Sequence, residues 1–244
     1  MSTFLPRKAR QAFCAMLLLL ESDAAFAADL QVAPTTVVLA AERNADGLML
    51  RNSGDAPLHA QIRVFRWTQA GGEDQLVATS DLAVSPPMLE LPPDREQLVR
   101  IVRLGPPPAD TEASYRVVVD ELPLEREPDA AQRGLRFVLR YSIPVFLAPL
   151  LAPAPTPPLQ VRVTSEADAR YLELGNPGSR HVQVADLVHA GTDGSRREIA
   201  AGLSGYVLPG QRRRWRLPAG LPDAGTFEAR INGEADARAL APDR

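Results

Sequence analysis

Apolar and polar side chains alternate with a period of two along most of this chain, the pattern of half-buried strands. Leu30, Val32 and Pro34 open one run, which continues into Val37-Val38-Leu39 as a single strand. Leu48–Leu50 makes a second, and Ile62, Val64 and Phe65 lie in a third. Gln97–Arg103 and Tyr115–Val119 follow, and the longest run is Leu135–Phe146. Turn residues separate them: Asn44–Gly47, Asn52–Asp55, Ala70–Gly72, Pro92–Asp94 and Gly105–Pro108. No stretch keeps a helical period over ten residues. Six or seven strands in about 120 residues predict an all-β fold, a sandwich of the immunoglobulin type.

Residues 148–158 carry five prolines, which predicts a stiff, extended spacer. Beyond it come shorter strands at Leu159–Val163, Tyr171–Leu174, Val182–Leu187, Glu198–Ala201, Arg212–Leu217 and Thr226–Ile231. The expected organisation is a leader at 1–27, a first sandwich at 28–148, a hinge at 149–158 and a smaller sandwich at 159–244. No repeat relates the two halves residue by residue.

The leader rests on a three-part order. Arg7, Lys8 and Arg10 precede the apolar run Ala12–Leu20, and Ala25-Phe26-Ala27 supplies small residues for cleavage after Ala27. Nine apolar residues are too few to cross a bilayer, which needs about 20. Cleavage would remove the single lysine, Lys8, and the single cysteine, Cys14. It would also shift the net charge from −3 to −4, since three basic residues leave with Glu21 and Asp23. Residues 28–244 then form no disulfide and contain no membrane span, and stability has to come from packed cores. The acidic balance argues against nucleic-acid binding.

Catalytic chemistry has little to draw on. His59, His181 and His189 sit in no nucleophile, zinc or thiol motif, and no glycine-rich phosphate loop is present. The expectation is no enzyme, no cofactor and no metal. Arg212–Arg214 and Arg216 flank Trp215, either as an anion site or as a charged strand face beside a buried ring. Trp67 and Trp215 are expected in cores.

The exceptional segment is Leu135–Phe146. Leu135, Phe137, Leu139, Tyr141 and Ile143 share one face; Arg136, Val138, Arg140 and Ser142 share the other. Twelve residues span about 40 Å. Such a strand is either central in its sheet, or lies at an edge where it can pair with another protein.

Taken in order, these residues resemble the periplasmic chaperones of the chaperone–usher pilus pathway, in particular the archaic, spore-coat-U-type branch. The matching features include Val32-Ala33-Pro34-Thr35, Asn52 at a strand end, Pro86-Pro87 ahead of Leu91-Pro92-Pro93, and Val99-Arg100. Tyr115-Arg116-Val117, Asp120–Pro123 and Ser142–Pro149 follow, with Gly175–Gly178 and Leu208–Gly210 in the second half. The resemblance implies two immunoglobulin-like sandwiches in a boomerang, located in the periplasm. It implies capping of pilus or fimbrial subunits by a donated strand and delivery to an outer-membrane usher. Leu135, Phe137 and Leu139 match the donor residues, and a weak self-dimer through them is allowed. Leu124–Arg133 would lead into that strand.

Classical members anchor the subunit's terminal carboxylate through an arginine and a lysine. The matching positions here are Thr36 and Pro144, and a basic residue near the strand end is replaced by Ala148. The resemblance therefore requires a different anchor, for which Arg116 and Arg140 are the candidates. The alternatives are a secreted immunoglobulin-like adhesin or structural module, a carbohydrate-binding module, and a secreted hydrolase. Ala28 and Asp29 alone separate the cleavage point from the first strand, aromatics make up 5% of the chain, and no catalytic set is present. These observations weigh against the adhesin, the carbohydrate-binding module and the hydrolase in turn.

Overall fold

A computed structural model describes residues 30–123, 138–151 and 157–241. Every regular element in them is a strand. The first half holds β1 (Leu30–Ala33), β2 (Val37–Leu39), β3 (Ala45–Asn52), β4 (Leu58–Ala70) and β5 (Glu73–Ala78). It continues with β6 (Leu82–Ser85), β7 (Met88–Leu91), β8 (Glu96–Arg103), β9 (Ala113–Leu122) and β10 (Arg140–Leu147). The second half holds β11 (Gln160–Glu166), β12 (Ala169–Gly175), β13 (Val182–Ala190) and β14 (Arg196–Val207). It ends with β15 (Arg212–Arg216), β16 (Thr226–Ile231) and β17 (Arg238–Leu240).

One sheet of the first half runs β1-β3-β8-β6; the other runs β2-β10-β9-β4-β5, with β7 also on β4. Alternation decides what lies between them. Leu48 and Leu50 of β3, Val99 and Ile101 of β8, and Val117 and Val119 of β9 meet in one buried core. The second half stacks β11-β12-β15 on β14-β13-β16-β17. Its separate core includes Leu172, Leu174, Val184, Leu187 and Trp215. The fold is all-β, with two sandwiches along the chain.

Several details differ from the sequence reading. The run from Leu30 to Leu39 is two strands, because the chain leaves one sheet at Ala33-Pro34 and enters the other at Val37. Proline has no amide hydrogen for a continuous ladder. Asn44–Gly47 is not a turn: Ala45–Gly47 pairs with Arg100–Val102. The short strands β5, β6, β7 and β17 had no legible alternation; β5 is exposed at every position. Trp67 lies in neither sandwich core but in a small cluster with Phe146, Tyr206 and Leu208.

The halves share one hydrogen-bonding device without repeating residue by residue. Asn52 Nδ2 donates to the carbonyls of Ala56 (2.8 Å) and Leu91 (2.9 Å), while its Oδ1 accepts from Gly54 N–H. Asn176 Nδ2 donates to Arg180 (2.7 Å) and Val207 (2.9 Å), and Oδ1 accepts from Gly178 N–H. Each asparagine amide also donates to the end of a turn, at Arg95 and Gln211 respectively. The residue before that turn end has positive φ in both, Asp94 and Gly210. Each buried amide thus ties a strand end to a distant turn.

Asn52→Ala and Asn176→Ala leave buried backbone groups without partners. Each is expected to cost about 1–3 kcal/mol in urea unfolding followed by tryptophan fluorescence.

Candidate functional site

The sheet β2-β10-β9-β4-β5 has a second face, turned away from the first core. Odd-numbered residues of β4 and even-numbered residues of β9 and β10 form it, as the registers Phe65↔Arg116 and Arg116↔Pro144 require. The second half packs on one end of this face. There Trp67, Phe146, Tyr206 and Leu208 are all nearly inaccessible to solvent. Trp67 meets Tyr206 edge to face at 5.4 Å, and Phe146 stacks on the His181 ring at 3.6 Å.

Polar contacts surround the rings. Gln69 Nε2 donates to the Tyr206 carbonyl at 2.7 Å, and its Oε1 accepts from Leu208 N–H at 3.0 Å. Glu112 accepts from His181 Nδ1 at 2.8 Å, and its amide donates to the Ser179 carbonyl. Arg213 lies 3.3 Å from Asp74, and Arg214 N–H donates to the Gly72 carbonyl. The arginine-rich strand is therefore a charged strand face beside the buried Trp215, and not a free anion site. Arg213 and Arg214 reach Glu73 and Asp74 of β5 across the junction, while Arg212 pairs with Glu173 within its own half.

Arg116 sits where the open part of the face meets this cluster. Its guanidinium lies 3.7 Å over the Trp67 ring and 5.6 Å from Tyr206. Nη1 donates to the Ser142 carbonyl at 3.1 Å. Burial pulls its pKa below the ordinary arginine value, with Asp74 opposing that shift; the group stays charged. Among the described residues it forms no ion pair, so its charge is balanced by a π-face and a carbonyl.

Arg140 has a different setting. Its Nε donates to Asp120 Oδ1, and Arg63 Nη2 donates to Oδ2 at 2.6 Å. Burial opposes ionisation of Asp120, but the two arginines outweigh it and hold its pKa below the ordinary aspartate value. Beside it, Glu121 N–H donates to the Leu139 carbonyl at 3.0 Å, and Leu139 N–H donates to Glu121 Oε2 at 3.3 Å.

The edge of β10 is the feature that opens this face to a partner. β10 pairs with β9 along its whole length, but with β2 only at Val145–Leu147. Ala148 N–H donates to Leu39, so even-numbered residues present their backbone groups on the β2 side. Among the described residues, the backbone groups of Arg140 and Ser142 therefore face away from β9 with no strand beside them, and the Ser142 carbonyl accepts from Arg116. Pro144 has no amide donor, and its carbonyl lies against Val37 at the start of the β2 ladder.

Leu135 and Phe137 lie outside the described residues, as does Leu124–Arg133. Leu139 is half-buried against the first core, together with Tyr141, while Arg140 and Ser142 are exposed. Thr36 directly precedes β2, and Pro144 stands directly opposite Arg116. Sequence reasoning missed Arg63 and Asp120, although two arginines and an aspartate on neighbouring strands signal a charge cluster. It also missed Gln69 and Tyr206, for which sequence alone holds no signal. His189 is buried against Phe227, and among the described residues no group of three potential ligands could hold a metal.

Residues 29–152, just over half the chain, match the family model described as the pili and flagellar-assembly chaperone, PapD N-terminal domain. The chain belongs to this family. No curated protein matches it. The chain is similar to the chaperone–tip subunit pre-assembly complex CsuC–CsuE of archaic Csu pili from Acinetobacter baumannii: TM-score 0.69, 23% identity, 87% of this chain and 97% of that one. It is also similar to the Salmonella enterica SafA pilin complex with the SafB chaperone (0.60, 20%, 86% and 94%). The E. coli chaperone DraB gives 0.58 at 19% identity, covering 87% and 97%. These PapD-like structures share the fold of two immunoglobulin-like sandwiches. The family is described by assembly of pili and flagella, and not by a chemical reaction.

Because the folded pKa of Asp120 lies below its unfolded one, its stabilisation is complete above the ordinary carboxylate range and is lost as pH falls through the lowered value. Asp120→Asn is expected to cost about 1–3 kcal/mol near neutral pH. The gap to wild type should close as unfolding curves are taken below about pH 3.9.

Proposed function

We propose that this chaperone binds and caps pilus subunits in the periplasm by lending them a strand, and hands them to an outer-membrane usher. The observation that carries the reading is the open edge of β10 at Arg140–Ser142, beside a surface walled by the second half. An extended segment can add there through main-chain hydrogen bonds, while alternate side chains fill an apolar groove. CsuC and SafB were each captured with a pilus subunit, a tip subunit in one case and a pilin in the other.

Leu135, Phe137 and Leu139 are the proposed donor side chains. Each contributes about 1.5–3 kcal/mol when buried in the subunit. Arg116 is the better of the two candidate carboxylate anchors. It lies opposite Pro144, inside the junction, with no ion pair of its own among the described residues, whereas Arg140 is taken by Asp120. A guanidinium offers a carboxylate two parallel hydrogen bonds. Residues 28–148 and 159–244 act as two domains on the hinge 149–158, and 1–27 directs export. Nothing in this mechanism calls for a nucleotide or metal.

The test is co-expression of the full chain with the fimbrial subunit encoded beside it. The expected result is a soluble 1:1 complex. Phe137→Asp should abolish it, and Arg116→Gln should weaken it by about tenfold or more, equivalent to ~1.4 kcal/mol. A folded chain that neither solubilises nor binds the subunit overturns the reading.

A further inference from the structure

The alternation that places β10 on its sheet leaves one error unguarded. A slip of one residue along β9 would move Leu139, Tyr141 and Ile143 to the wrong face and is strongly disfavoured. A slip of two keeps every face correct, because the apolar positions repeat as Leu139, Tyr141, Ile143 and Val145. A strand with a neighbour on both sides is held in place by two ladders. β10 has one ladder over Arg140–Ile143, since the first β2 bridge is at Val145.

Phe146 in the junction cluster and the β2 ladder oppose such a slip at the far end of β10, and Asp120 opposes it at the open end. It stands opposite Arg140 on β10 and opposite Gln61 on β4, where Arg63 is the next residue on the same face. Its carboxylate is buried and uses one oxygen for each arginine, joining three neighbouring strands at one level. In the slipped registers Ser142 or Val138 would stand opposite it. The buried carboxylate would then keep only Arg63, and an incompletely paired buried charge is costly. Glu121 repeats the grip one residue on, through both backbone groups of Leu139. On the other face, the Tyr141 hydroxyl donates to the Leu30 carbonyl.

We infer that Asp120, with Arg63 and Arg140, is a register lock: it fixes which residues of β10 are presented along the open edge. It is a positioning residue, and its importance for subunit capture rests on the chaperone reading above. A buried ion pair is weak grounds for a stability argument, and its best-attested use is to specify register. The lock also predefines the edge before a partner arrives, which lowers the ordering cost of strand addition.

The chain without its leader contains no cysteine, so register can be trapped by disulfides. Val118 and Ser142 are directly opposite, whereas Val118 and Pro144 are diagonal neighbours that only a two-residue slip brings face to face. In an otherwise wild-type chain, Val118→Cys with Ser142→Cys should oxidise readily, and Val118→Cys with Pro144→Cys should not. Adding Asp120→Asn should lower the first yield and make the second pair cross-link. As an independent readout without cysteines, Asp120→Asn should speed amide hydrogen exchange at Leu139–Ile143 by about tenfold or more, while Leu48–Leu50 and Val99–Ile101 stay protected. With Asp120 intact, Arg140→Lys should retain part of that protection and Arg140→Gln should lose it. An unchanged cross-linking pattern, or exchange that rises equally in both sheets, overturns the lock. Subunit capture separates the two ideas: failure of the wild-type chain to hold the subunit overturns the chaperone reading, and the register result is judged on the free protein.

Discussion

Four side chains with almost no solvent exposure, Trp67, Phe146, Tyr206 and Leu208, hold the second half against the outer face of the first. Without that contact, one face of β9 and β10 would be an ordinary solvated sheet surface. With it, Arg116 becomes half-buried against an aromatic wall, and its charge acts where water screens it less. The rings give the junction apolar area. Gln69, Glu112 and the arginines of β15 give it direction, since each bond has a partner fixed on the opposite half.

β10 links the two functions of the sheet. Its odd-numbered residues belong to the first core, and its even-numbered ones belong to the outer face, ending in Phe146 at the junction. One strand therefore sets the first core, the open edge and the contact between halves. A disturbance of this strand therefore bears on all three.

Much of the fold was legible. Long alternating runs such as Gln97–Arg103 and Tyr115–Val119 became strands because alternation is what a sheet buried on one face imposes. β5 was not legible, because it is exposed throughout and has no apolar face to display. The paired roles of Asn52 and Asn176 were hidden for another reason. The shared element is a hydrogen-bonding geometry spread over distant residues, and the side chains around it differ. Arg116 and Arg140 could be named from their strands, but what separates them lies on other strands. Trp67 and Tyr206 flank one; Asp120 and Arg63 occupy the other.

An exposed strand edge is also an invitation to uncontrolled stacking, and Pro144 limits it. Among the described residues Ser142 is the edge's last free donor: Pro144 has none, and β2 closes the edge from there onward. A strand that adds here meets a boundary built into the covalent chain. Such an edge can dock a partner strand up to that boundary, but it offers a poor template for the endless in-register growth that turns a sticky sheet into a fibril.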